Sequence, residues 1–249
     1  MSGHSKWHNI RLRKGKQDAE RGKIFTKLAR EIIVAAKAGG GNPDTNLRLR
    51  IAIQKARDAS MPQDNIKRAI QRGTGEIEGA HYEEVTYEGY GPGGVAVLVE
   101  CLTDNRNRTV ADLRAIFSKC GGSMGESGCV AWLFQPKGIV SIPAEAASED
   151  DVLMAVMDAG AEDVKTEGDS IEVVCPPEAL HDVRQALTDA GIPFTMAELS
   201  MVPQNTVSVE GKEASQVLRL MDQLEDHDDV QHVYSNFDIP DEVMQEISA

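Results

Sequence analysis

The chain is poor in aromatic residues, with two Trp, four Tyr and five Phe among 249 positions, so its cores are expected to be small and built with few large rings. No stretch approaches 18 consecutive apolar residues, which rules out a membrane-spanning helix. The opening residues, Met1-Ser2-Gly3-His4-Ser5-Lys6-Trp7, run into basic residues with no apolar segment behind them. That pattern is not a secretory signal, and the expected location is the cytoplasm. Cysteine is scarce as well. Cys101, Cys120, Cys129 and Cys175 show no CxxC spacing, so they read as reduced, mostly buried thiols rather than as zinc ligands, and no cofactor or metal is expected.

Basic residues are scarce in most of the chain. Residues 76–249 hold 9 Lys+Arg against 34 Asp+Glu, a net of −25, whereas residues 1–75 hold 17 against 6, a net of +11. The overall −14 therefore hides a basic module joined to an acidic body, and such asymmetry points to a nucleic-acid partner for the basic part.

Apolar periodicity divides the chain further. An arm, Ser2 to Lys16, precedes a helix expected over 17–38, where Phe25, Leu28, Ala29, Ile32, Ile33 and Ala36 form one stripe and Lys23, Lys27, Arg30 and Lys37 another. Gly39-Gly40-Gly41-Asn42-Pro43 should end it. A second helix is expected over 46–59, exposing Arg48, Arg50, Lys55 and Arg57. A third should begin with a capping box at Ser60-Met61-Pro62-Gln63 and expose Lys67, Arg68 and Arg72. Together these make a three-helix bundle broadly like a helix-turn-helix unit.

From residue 80 onward the pattern is α+β. Strands are expected at 84–90, 95–101 and 129–134, with a helix at 109–119 headed by a Thr109–Asp112 capping pair. Residues 137–202 then read βαββαβ, the ferredoxin-like order, and a strand, helix and strand follow over 207–235. The flanking pieces are too small to hold separate cores. The expected division is thus 1–78 as a basic helical domain with its arm, 79–136 plus 203–249 as a discontinuous α+β domain, and 137–202 as an inserted ferredoxin-like domain.

Few motifs suggest catalysis. Gly89-Tyr90-Gly91-Pro92-Gly93-Gly94 matches the dinucleotide fingerprint in letters, but a strand follows it where a helix N-terminus is required, so a hairpin loop is the better reading. His227 and His232 bracket Asp228-Asp229 in what reads as a solvated acidic turn. No nucleophile–base set has a recognisable context, and no enzyme is expected. Arg106 and Arg108, beside a helix start, are candidates for a phosphate or partner contact, or else counter-charges within the acidic body.

The strongest signal is the arm with its helix stripe: Lys6, Trp7, His8, Arg11, Arg13, Lys14 and Lys16, continuing into Lys23, Lys27, Arg30, Arg48 and Arg50. Dense Lys and Arg displace counterions from phosphates, and an indole can stack on a base. These residues do not separate DNA from RNA. The acidic body is a candidate surface for a protein partner.

Six segments in order also resemble the YebC/PmpR family: Gly3-His4-Ser5-Lys6-Trp7, Gly22-Lys23-Ile24-Phe25-Thr26-Lys27, Gly39-Gly40-Gly41-Asn42-Pro43, Tyr87-Glu88-Gly89-Tyr90-Gly91-Pro92-Gly93-Gly94, Asp104-Asn105-Arg106-Asn107-Arg108-Thr109 and Phe117-Ser118-Lys119-Cys120-Gly121-Gly122. The resemblance runs essentially end to end. It implies a helical bundle followed by an α+β domain with an inserted ferredoxin-like domain, and a cytoplasmic, non-enzymatic regulator. Bacterial members are described as DNA-binding transcriptional regulators. Some members, and the mitochondrial relative that activates translation of cytochrome c oxidase, are linked instead to the ribosome and its RNA, relieving stalling.

Overall fold

The computed structural model describes residues 19–240. Seven α-helices occur among them: α1 (Ala19–Gly39), α2 (Leu47–Asp58), α3 (Gln63–Thr74), α4 (Arg106–Lys119), α5 (Glu149–Val156), α6 (Leu180–Asp189) and α7 (Gly211–Glu225). The strands are β1 (Glu83–Tyr90), β2 (Ala96–Thr103), β3 (Ser123–Met124), β4 (Phe134–Pro143), β5 (Asp163–Glu167), β6 (Ser170–Cys175), β7 (Met196–Pro203), β8 (Val207–Ser208), β9 (Val230–Ser235) and β10 (Phe237–Asp238). These residues form two compact units, 19–129 with Gln216–Val233, and Val130–Ser215 with 234–240.

The first unit opens with the helical bundle. The apolar stripe of α1 is buried as its period requires. Ile32, Ile33, Ala35 and Ala36 pack with Leu49, Ala52, Ile53 and Ala56 of α2, with Met61, and with Ile66 and Ala69 of α3. Asn46 ties two helices together. Its side-chain oxygen accepts from the Leu49 N–H at 3.0 Å, capping α2, while its amide donates to Ala35 O at 2.8 Å and Gly40 O at 2.9 Å. The capping box expected at Ser60–Gln63 is absent: Pro62 stands at the N-cap of α3 and supplies no side-chain bond. Proline needs no cap partner of its own, and Ser60, at φ +62°, is used to turn the chain instead.

In the same unit lies a four-stranded sheet of order β3-β1-β2-β9. β1 and β2 form an antiparallel hairpin in register Glu83↔Thr103 to Tyr90↔Ala96, closed by Gly91–Val95 with a 2.7 Å bond from Gly91 N–H to Val95 O. The glycine-rich stretch is therefore a hairpin turn between strands. β2 is buried on nearly every residue, which explains its unbroken apolar sequence. Phe117 of α4 lies over Gly89 of β1, where an added Cβ would come within 2.9 Å of its ring.

The second unit contains the βαββαβ run β4-α5-β5-β6-α6-β7. Its sheet is fully antiparallel in the order β5-β6-β4-β7, the ferredoxin-like arrangement that the sequence order predicts. Val140, Ile142, Ile171 and Val173 of the sheet pack with Val152, Val156, Val183 and Leu187 of the helices. The strand expected at 129–134 is mostly a 3₁₀ turn, Ala131–Leu133, and β4 begins at Phe134. A continuous apolar run does not distinguish a buried turn from a strand.

Candidate functional site

Lys23, Lys27 and Arg30 are spaced i, i+4 and i+7 on α1 and face the end of α7 and the loop after it. Lys27 Nζ donates to Glu225 O at 2.6 Å, and Lys23 Nζ donates to Asp226 O at 3.4 Å with the Asp226 carboxylate 3.8 Å away. Cations suit this place, because the last carbonyls of a helix carry partial negative charge and lack intrahelical partners.

Arg30 goes deeper. Its Nη1 is 2.7 Å from Asp229 Oδ1 and also donates to Asp228 O, while the guanidinium stacks over the Tyr82 ring at 5.1 Å. The side chains of Arg30 and Asp229 are only 12% and 2% exposed. The other carboxylate oxygen of Asp229 takes Arg108 Nη2 at 2.9 Å and the Thr109 hydroxyl at 2.7 Å, with the Thr103 hydroxyl at 3.3 Å. Burial pushes the Asp229 carboxyl up. The hydrogen bonds from Arg108 and Thr109 and the charges of Arg30 and Arg108 outweigh burial and hold it below its ordinary value.

The backbone N–H of Asp229 donates to His227 Nδ1 at 3.1 Å, and His227 Nε2 lies 3.4 Å from the Asp112 carboxylate. One buried carboxylate thus joins α1, the end of β2, the first turn of α4 and the loop before β9. Both of its oxygens have partners, Arg30 on one and Arg108, Thr109 and Thr103 on the other, which makes it a joint between these elements.

Arg108 also pairs with Asp104 at 2.8 Å, and Arg106 pairs through Nε with Glu83 at 2.8 Å. Both arginines have intramolecular acidic partners. The N-cap of α4 is Asn105, accepting from the Arg108 N–H at 3.1 Å. The expected Thr109–Asp112 pair does not cap it, since the Thr109 hydroxyl is committed to Asp229. Arg48 pairs with Glu84. Arg50, Arg57, Lys67 and Arg68 are exposed and have no ion pair among the described residues. Lys6, Trp7, His8, Arg11, Arg13, Lys14 and Lys16 lie outside the described residues.

Asp229, Thr103 and Thr109 are the structural centre that sequence reading passed over. Asp228-Asp229 reads as a solvated turn, yet Asp229 is buried. The available signal was its position directly before the apolar strand Val230–Ser235, where a carboxylate is carried inward.

A cavity of about 260 Å³ adjoins this centre, lined by Glu31, Arg48, Glu84, Glu100, Cys101 and His232 among others. Burial, followed by the nearby Asp229 charge, pushes the Cys101 thiol up to about 12. A thiol so held is almost wholly protonated at neutral pH and is a poor nucleophile. Iodoacetamide at pH 8 should label Cys101 in the folded protein at least ~100-fold more slowly than in denaturant. Peptide mapping of the labelled protein measures this, and comparable rates in the two states would contradict it.

Residues 5–76 match the family model described as the TACO1/YebC protein N-terminal domain, and residues 82–237 that of the TACO1/YebC second and third domain. The chain is 57% identical to a "Probable transcriptional regulatory protein" of Dictyoglomus turgidum over the full length of both. It is 56% identical to another so named from Geobacter sulfurreducens, covering 99% of this chain and all of that one. A crystal structure of a conserved hypothetical protein from Aquifex aeolicus superposes with a TM-score of 0.81 at 48% identity, covering 92% of this chain and 94% of that one.

Proposed function

Since the chain belongs to the TACO1/YebC family, we propose that it is a cytoplasmic, non-enzymatic, DNA-binding transcriptional regulator, whose residues 1–78 bind nucleic acid. The observation that carries this reading is charge segregation, +11 in residues 1–75 against −25 in the rest. The name given to the relatives supports a regulatory role. In this reading the division into residues 1–78, 79–136 plus 203–249, and 137–202 separates binding from partner contact.

The ion-pair geometry narrows the interface. Arg30 is engaged with Asp229, and Lys23 and Lys27 reach the end of α7, so these three serve first to seat α1. Phosphate contact falls to the arm, Lys6, Trp7, His8, Arg11, Arg13, Lys14 and Lys16, together with Arg50 and the exposed Arg57, Lys67 and Arg68. Arg48 contributes by exchanging Glu84 for a phosphate. Arg106 and Arg108 act as internal counter-charges.

The test is a fluorescence titration of labelled duplex DNA over a salt series, comparing the wild type with R11Q/R13Q/K14Q/K16Q. Each lost phosphate contact lowers the slope of log affinity against log salt by about 0.9, so four should lower it by about 3 to 4 and weaken binding at least tenfold. An unchanged slope and affinity would sink the assignment. Basic side chains spread over an arm and two helices also fit ribosomal RNA, which makes a ribosome-associated translation factor the second reading. Salt-sensitive co-sedimentation with ribosomes in sucrose gradients, with no preference for promoter DNA, would favour it.

A further inference from the structure

Helix α5 presents a surface that its own stability does not explain. Val152 and Val156 pack into the ferredoxin-like core. The opposite face carries Asp150, Leu153, Met154 and Met157, at i, i+3, i+4 and i+7, and Asp158 flanks it. Leu153 is 44% exposed, Met154 69% and Met157 62%. These three large apolar side chains fall within five residues, little more than one turn, closer together in sequence than any other three exposed large apolar residues among the described residues. Such a group costs solubility, and contiguous exposed apolar area commonly marks an interaction site.

The charged residues of the helix itself and of the turn after it are all acidic. Glu149, Asp150 and Asp151 occupy the first turn of α5 and Asp158 the 3₁₀ turn after it. The first three favour the helix N-terminus, where Ser148 also caps by accepting from the Asp151 N–H at 3.1 Å. Asp158 lies at the other end, where a carboxylate opposes the helix dipole, so helix stability does not account for it. Residues 137–202 as a whole contain 14 Asp+Glu and 3 Lys+Arg, a net of −11.

We infer that the outer face of α5 is a docking surface for a basic, amphipathic protein segment, with Leu153, Met154 and Met157 as the apolar centre and the surrounding carboxylates as the rim. An apolar centre with a charged rim is the usual anatomy of a protein interface. Methionines suit it because their unbranched, polarisable side chains adapt to differing apolar partners. The acidic rim excludes phosphate-bearing ligands and selects Lys- or Arg-rich sequence, giving the protein a second contact of opposite charge preference to its N-terminal region. This inference is independent of whether that region takes DNA or RNA.

The test uses the full-length chain and a fluorescein-labelled 16-residue Lys/Leu peptide patterned as an amphipathic helix. A Glu/Leu peptide of the same pattern and a scrambled Lys/Leu peptide serve as comparisons. The patterned Lys/Leu peptide should bind in a salt-sensitive way. M154S/M157S should weaken it about tenfold or more, and D150K/D158K should do so without removing any apolar group. Leu199→Ser, which alters another exposed apolar residue of the same unit, should leave binding within about twofold. Equal binding of the Glu/Leu or scrambled peptides, or unchanged affinity in both double variants, would overturn the inference.

The second arm places a photo-crosslinking residue at position 154 in cells and sequences the attached segment by mass spectrometry. A Lys/Arg-rich segment with apolar anchors supports the inference. A crosslink to a second copy of this chain, to nucleic acid or to an acidic segment overturns it. The DNA titration should be unaffected by M154S/M157S, so failure here is separable from failure of the nucleic-acid reading.

Discussion

Replacing Asp229 with asparagine should cost about 3–5 kcal/mol of stability at pH 7, because it leaves a buried guanidinium without its counter-charge. Arg30 is nearly as enclosed as Asp229, and the pair sits where four elements meet. Arg30→Ala should be comparably severe for the converse reason. Arg108→Ala should cost only about 1 kcal/mol, since that side chain is half exposed and water screens its contribution.

The pH dependence follows from the direction of the shift. The Asp229 carboxyl is held below its ordinary value in the folded protein. Its contribution is therefore fully present above the unfolded value of about 3.9 and is lost as pH falls through the lower folded value. The gap in urea midpoint between wild type and Asp229→Asn should be constant from pH 7 to about 5 and narrow below about pH 4. A gap already narrowing between pH 7 and 5 would show that another group controls this joint.

The second large effect belongs to Gly73. Alanine in place of glycine within a helix ordinarily stabilises by about 0.5–1 kcal/mol. At Gly73, in the last turn of α3, an added Cβ would lie 2.5 Å from Ile33 O and 2.6 Å from the Ala36 Cβ, both on α1. Backbone and a short side chain cannot swing aside, so α1 and α3 would have to move apart. Gly73→Ala should destabilise by about 1–3 kcal/mol and Gly73→Val by more. Gly22 of α1 is the matched control, with nothing among the described residues within 4 Å of its added Cβ, and Gly22→Ala should stabilise. Urea denaturation of the three variants decides the point; a stabilising Gly73→Ala would mean that the close crossing of α1 and α3 is not a constraint.

Much of the architecture was legible because burial repeats along a chain. The α1 stripe and the βαββαβ order follow from the spacing of apolar residues, and each appears close to the expected residues. The errors fell where period carries no information. Ser60-Met61-Pro62-Gln63 has the letters of a capping box, but Pro62 took the cap position. Thr109 looked like a cap because it precedes an apolar run, whereas its hydroxyl is held by a carboxylate 120 positions away.

The sequence by itself determined the segregation of charge, the helical character of the basic module and the order of strands, since these depend on composition and on spacing between near neighbours. Only the tertiary structure decided which basic side chains meet acidic or carbonyl partners. Lys23, Lys27 and Arg30 look identical in type to Arg50, Arg57, Lys67 and Arg68, yet the first three meet residues 225–229 and the others face solvent without an ion pair among the described residues. Whether a basic residue meets a carboxylate or carbonyl of its own chain depends on pairings across some two hundred residues that no local pattern encodes.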